Sequence, residues 1–408
     1  MIQRILPFAL FALLPANLHA SEPLRVFILA GQSNMQGHAK IYTLDYMAED
    51  PSSASLLQEL RDPQGSPKVC QRVWISSIGC TGGGVSDLVE QKGKLTVGYG
   101  ASPEKIGPEF SFGVTMEKAF TGNILIIKTS WGGKNLLTDF RPPSAGNRHF
   151  DASMRKRWQE KGIDPEEETR KHNEELNGVF YRHMIAHVRS VLSDPRRVVP
   201  DYDPSQGYEI SGFVWFQGFN DLVDSWSYPN RMQPGGYDEY ANLLGHFIRD
   251  VRRDLAAPKM PFIIGVMGIG GDKEGIKPPH MHFRQAQTSV ASLPEFQGNV
   301  IAVPTAPYWC DELGAIDAKR DQVNQMRYFL NSKHKDHANA DGAMTEAQKN
   351  EYVRDYEAKL ISPEESAQWK KGASNAAYHY LGCGKTFARM GKAFAEANIN
   401  LLQAAKQP

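Results

Sequence analysis

Four short blocks of the sequence hold residues suited to acyl transfer. Gly31-Gln32-Ser33-Asn34-Met35 follows the apolar run 26–29, and Ser130-Trp131-Gly132-Gly133-Lys134 follows 124–128. Gln217-Gly218-Phe219-Asn220-Asp221 follows 212–216, and His379 stands in "YHYLG" near the C-terminus. A serine hydroxyl is a weak nucleophile until a histidine takes its proton. The tetrahedral intermediate then needs preorganised donors for its oxyanion. The backbone N–H groups of Ser33 and of Gly132 or Gly133, with the Asn220 side-chain amide, are candidates for that role. Each residue alone has a plainer reading: Ser33 as a turn residue, Gly132-Gly133 as a tight loop, His379 as a core histidine. Asn220 would serve as a helix cap. Asp221 reads either as an N-cap or as the acid that orients His379.

These blocks need a scaffold that brings them together. The runs 26–29, 73–76, 124–128, 212–216, 262–267 and 300–303 are β-branched, aromatic and continuously apolar, as expected of strands covered on both faces. Between them apolar residues recur at helical spacing. Phe180, Met184, Val188, Val191 and Leu192 form one such set, Leu243, Leu244, Phe247, Ile248 and Val251 a second, and Phe387, Met390, Gly391 and Phe394 a third. This alternation predicts an α/β protein with a mostly parallel sheet. Ligands of such sheets sit beyond the carboxyl ends of the strands, where the four blocks fall. Residues 38–110 and 312–372 interrupt the rhythm and read as rim insertions, the first mostly irregular, the second with room for its own helices.

The blocks also resemble those of the SGNH hydrolases, in the sialate O-acetylesterase-like branch. Gly31–Met35 resembles the nucleophile block, Trp131-Gly132-Gly133 the glycine block, and Gly218-Phe219-Asn220-Asp221 the G-x-N-D block, while His379 stands at the place of the catalytic histidine. The stretch "GPEFSFG" at 107–113 is similar to that branch as well. The resemblance runs from about 24 to 397. It implies a three-layer α/β/α fold of the flavodoxin-like kind and hydrolysis of O-acetyl esters on sugars, without a metal or other cofactor. Gln32, Gln217, Trp131, Glu109 and Arg284 are the candidate substrate contacts. Two or three of Trp131, Trp226, Tyr228, Tyr308, Trp309, Tyr378 and Tyr380 are expected against the sugar. The family's aspartate three residues before the histidine is here Ala376, with the neutral Asn375 one step further back. A backbone carbonyl, Asp221 or a carboxylate of the charged insertion is left to accept the Nδ1 proton, or the site is a Ser–His dyad.

Bulk properties narrow the setting. Of 408 residues, 46 are Lys or Arg and 46 Asp or Glu, and no long basic stretch suggests a nucleic-acid partner. Arg4, the apolar run 5–16 and Leu18 and Ala20 before a cleavage point predict a signal peptide over 1–20. A single domain over 21–408 is then expected, exported to the periplasm or secreted. The four cysteines leave three pairings open, with Cys70 and Cys80 close enough in sequence to bridge. His280/His282 and His334/His337 have ligand-like spacing without a complete metal set. The sequence thus favours an exported esterase that deacetylates a carbohydrate through an acetyl-serine. A non-catalytic sugar-binding relative and an O-acyltransferase on the same serine are the alternatives.

Overall fold

The computed structural model describes residues 22–80, 88–272 and 276–406, so the segment read as a signal peptide lies outside the described residues. The strands in chain order are β1 (Leu24–Gly31), β2 (Ala39–Lys40), β3 (Val73–Ile78), β4 (Gln91–Lys94), β5 (Lys105–Ile106), β6 (Ile124–Ser130), β7 (Tyr208–Phe216), β8 (Phe262–Val266) and β9 (Val300–Pro304). Seven of them form one sheet in the order β4-β3-β6-β1-β7-β8-β9, and β2 and β5 pair separately. Every neighbour in the large sheet is parallel except β4, an antiparallel edge on β3. The six apolar runs all lie in parallel strands. All eight residues of β1 and all seven of β6 are buried, as strands covered on both faces require.

The order β6-β1-β7-β8-β9 is the 2-1-3-4-5 arrangement of flavodoxin-like sheets. The β3–β4 pair extends it outward and comes from the segment read as an irregular insertion. That reading needs correction: 38–110 carries two strands of the main sheet and the helix Pro51–Glu59. The second insertion is helical, with Asp311–Asn331, Glu346–Leu360 and Pro363–Gly372. Capping boxes at Thr345 and Ser362 start the last two. Val323, Leu330, Val353 and Ile361 give them a small core of their own.

Helices cover both faces of the sheet. On β7, the Phe213 and Trp215 rings meet Phe247 of the helix Asp238–Asp254. Phe216 points the other way, to Phe394 of the helix Gly384–Ala404. The strand's two-residue period thus feeds two cores. On the second face Gly384–Ala404 crosses Glu109–Ala119 at Gly391, where a Cβ would stand 2.1 Å from the Pro108 carbonyl oxygen. Only glycine permits that approach.

The four cysteines are buried thiols. Cys80 contacts the hydroxyls of Ser77 and Ser130 at 3.5 and 3.6 Å, and none of the three pairings left open, Cys70–Cys80 included, is formed. Cys310 and Cys383 share the small cluster that also holds Leu381.

Candidate active site

The adjacent strands β6, β1 and β7 end at Ser130, Gly31 and Phe216, and these three ends lie side by side in register. Each feeds one of the candidate blocks. Gly31 has φ 157°, and a Cβ there would lie 2.1 Å from the Phe216 carbonyl oxygen. Glycine therefore lets β1 turn tightly against β7. Ser33 opens the one-turn helix Ser33–Gln36 and is 7% exposed. Gly132 lies alongside: a Cβ on it would be 3.9 Å from Ser33 Cβ. Gly132 and Gly133 are both exposed at the rim, and Gly133 has φ 74°.

Gln32 organises the Asn220 side. Its Oε1 accepts from the backbone N–H groups of Gly218 (3.0 Å) and Asn220 (3.4 Å), which fixes the amide orientation. Its Nε2 then donates to Asn220 Oδ1 at 2.9 Å. The Asn220 carbonyl is thereby occupied, and its NH2 group is left as the donor. Gln32 is fully buried, so it is not the substrate contact expected from its block but the bracket that aims Asn220. Gln217 is equally buried, donating to Gln32 Oε1, Lys134 O and Asp221.

Asp221 is neither the acid nor the helix cap. Its carboxylate accepts from Leu136 N (3.0 Å), Leu137 N (3.3 Å), Gln217 Nε2 (2.6 Å) and Tyr228 OH (3.1 Å). It pins the loop after Gly132-Gly133 to β7. Complete burial pushes its pKa up to about 6 even with these donors around it.

The histidine's partner is the residue that sequence reasoning set aside. His379 Nδ1 lies 2.9 Å from Asn375 Oδ1. The Ala376 N–H donates to the same atom at 2.8 Å. A backbone N–H can only donate, so the atom is the oxygen and Nδ1 carries the proton. Nε2 is left with its lone pair, the tautomer a general base needs. Neither a backbone carbonyl nor an insertion carboxylate fills this role. Burial, with Lys105 nearby, lowers the His379 pKa to about 4.

The loop carrying His379 is held from several sides. Tyr380 and Leu381 both have left-handed φ, 51° and 61°, a conformation costly for side chains with a Cβ. The buried Tyr380 hydroxyl bonds Gly268 N (2.7 Å) and Thr305 Oγ1 (2.6 Å). Leu381 O accepts from Ser374 N and Asn375 N at 2.8 and 3.0 Å. The nucleophile turn reaches the same loop through Asn34 Nδ2, which donates to Tyr378 O at 3.2 Å. On its other side the turn rests on the buried pair Lys128–Glu109 (2.8 Å), whose ammonium also donates to Gln36 O and Tyr99 O, both at 2.7 Å.

Three further expected substrate contacts are therefore structural. Glu109 is buried against Lys128 and accepts from Gly107 N. Trp131 is 2% exposed and packs on Phe140 and Phe180. Arg284 donates to Ile269 O and Gly271 O and to Asp272, holding the loop after β8. Of the seven aromatics, Trp131, Tyr228 and Tyr380 are buried and Tyr308 and Trp309 half-buried. Trp226 is exposed but lies under Arg157 and Lys161. Tyr378 is 46% exposed beside His379, with Phe219 5.7 Å away, a neighbour the sequence did not single out. Clefts of about 270 to 310 Å³ lie elsewhere, around Gly245, Lys385 and Arg141. None of these three is lined by Ser33, Gly132, Asn220 or His379, the candidate residues at the rim of the sheet. Among the described residues no cluster of three or more His, Cys, Asp or Glu could hold a metal ion.

An α/β sheet with a serine turn, a glycine loop, an aimed amide and a tautomer-fixed histidine at one rim defines a candidate serine hydrolase. A sequence profile described as "Carbohydrate esterase, sialic acid-specific acetylesterase" matches residues 23–303, and the chain belongs to that family. It is a carbohydrate esterase, a hydrolase acting on ester bonds. His379 lies beyond the matched residues. Solved structures similar to the chain include a protein from Arabidopsis thaliana, at 19% identity and TM-score 0.37 over 69% of this chain and 86% of that one. XAC1771, a carbohydrate acetylesterase from Xanthomonas citri, has 14% identity and TM-score 0.37 over 68% of this chain and 49% of its own. NanS has 15% identity and TM-score 0.37 over 70% and 78%. No curated protein matches the chain in sequence.

Proposed function

We propose that the protein is an exported acetylesterase that removes O-acetyl groups from a saccharide through an acetyl-serine. One observation carries this reading. The ends of three adjacent strands present Ser33, Gly132 and Asn220 together, and the loop of His379 is bonded to the nucleophile turn. Ser33 Oγ attacks the acetyl carbonyl while His379 Nε2 takes its proton. The oxyanion is received by the Ser33 N–H, the N–H of Gly132 or Gly133 and the Asn220 NH2 group. His379 returns the proton to the leaving sugar hydroxyl, and water activated by the same nitrogen hydrolyses the acetyl-enzyme. The exposed Tyr378 ring, beside Phe219, is the surface on which a sugar ring would lie.

The test is acetate release from a panel of acetylated polysaccharides, with Ser33→Ala as control and an organophosphonate as active-site label. We expect one label, on the peptide containing Ser33, and loss of acetate release in the variant. Labelling elsewhere, or none on folded protein, would overturn the serine mechanism. The neutral Asn375 favours a second reading, a sugar-binding relative with little turnover. Saccharide binding without acetate release would select it.

A further inference from the structure

One contact in the site is used by neither nucleophile nor oxyanion donor. The His38 ring lies flat on the His379 ring, with centroids 3.9 Å apart and planes inclined by 4°. Tyr378 stands edge-on to His379 at 4.5 Å and 67°. His38 is five residues after Ser33, just past Gly37, which has φ 91° and where a Cβ would stand 2.1 Å from Gly107 Cα, so that only glycine fits the turn. The segment that delivers the nucleophile therefore also delivers a plate beneath the base. His38 Nδ1 is buried and has no hydrogen-bond partner among the described residues. That nitrogen does not hold the fold together; the ring's contact is His379.

We propose that His38 is a positioning residue: its ring is the flat face against which the His379 imidazole is held and shielded from water while Nε2 exchanges a proton with Ser33. The proposal rests on the esterase reading above and names what substitutes for the aspartate missing at Ala376. Asn375 fixes the tautomer but, being neutral, does not clamp a charged ring. A stacked face restricts the ring's tilt, keeps Nε2 aimed at Ser33 and holds water off the ring. The groups facing His38 support this division of labour. Burial, then His379, Lys105 and Lys128, lower its pKa to about 3. At neutral pH His38 is thus uncharged, and only His379 cycles its proton.

Three variants test this in the full chain: His38→Ala, His38→Phe and His38→Leu. Removing the face should lower kcat about tenfold, with KM within about twofold, in the Ala and Leu variants, as loss of positioning does. His38→Phe, which keeps a flat ring and cannot titrate, should stay within about threefold of the parent. The second readout is NMR titration of histidine-labelled protein, with the His379 signal assigned through His379→Gln. His379 should titrate near 4 in the parent and in His38→Phe, and move toward the ordinary 6.5 in His38→Ala, because burial is the largest cause of the depression. If His38→Ala does not fold, the Leu and Phe variants carry the comparison. A folded Ala or Leu variant with parental kcat and unshifted His379 would overturn the proposal. So would a Phe variant as impaired as Ala, which would mean that the imidazole itself acts. Ser33→Ala keeping parental acetate release would instead overturn the esterase reading, and the titration, which needs no turnover, would still judge the stacked pair.

Discussion

At the residue scale the proposed site differs from a complete triad by one atom type, the amide of Asn375 where a carboxylate would serve. An amide oxygen sets the tautomer but adds no negative charge to the imidazolium that forms in the transition state. Asn375→Asp should therefore raise kcat, by about tenfold or more on the scale of such partners. The new anion favours the protonated ring, so the acid limb of kcat/KM should move up from about 4. A pH–rate profile of both proteins checks the size and the sign. Asn220→Ala should lower kcat by about 10²–10³ with little change in KM, as loss of an oxyanion donor does. Steady-state kinetics on a chromogenic acetate ester measures it.

At the element scale the nucleophile turn depends on charges that never meet substrate. Lys128 and Glu109 are fully buried, and the ammonium also ties down the carbonyls of Gln36 and Tyr99. Glu109→Gln leaves that ammonium without a counter-charge. It should cost about 3–5 kcal/mol, the usual result of breaking a buried pair from one side. Denaturant unfolding measures this. The fall should far exceed that for Lys118→Ala, whose exposed pair with Glu59 is worth about 0.2–1 kcal/mol.

At the scale of the whole molecule, stability should carry a pH signature from Asp221. Its folded pKa of about 6 lies above the unfolded value of about 3.9. The native state therefore binds the extra proton between those values. The contribution is fully present below about 3.9 and is lost as pH rises through about 6. In Asp221→Asn this dependence should vanish. The variant should also be less stable by about 1–3 kcal/mol, because one of the Leu136 and Leu137 N–H groups loses its acceptor. Unfolding of both proteins from pH 4 to 7 tests the slope. For the chain's processing, our reading of 1–20 as a leader predicts that protein recovered from outside the cytoplasm starts at Ser21; N-terminal sequencing that finds Met1 would contradict it.

What the sequence by itself determined is what depends on neighbours along the chain. Apolar runs such as 26–29 and 124–128 announce strands because burial on both faces leaves no polar alternation. Gly31 and Gly218, followed by Ser33 and Asn220, mark strand ends because the turn and the chemistry sit within a few residues. The tertiary structure alone decided which polar residues of those blocks lie at the rim and which face inward. Gln32 reads like a site residue, yet contacts 185 to 188 positions away turn it into a bracket. Asp221 beside Asn220 looks like an acid or a cap, but Leu136 and Leu137 claim its oxygens. Asn375 lies only four residues before His379, but the irregular turn between them, which no periodicity marks, decides that its oxygen meets Nδ1. His38 carries no motif, and only the meeting of two segments 341 positions apart lays its ring on the base. Periodicity is a local property written in adjacent residues. A hydrogen bond or a stacked ring between distant segments exists only once the sheet order has brought them to the same rim.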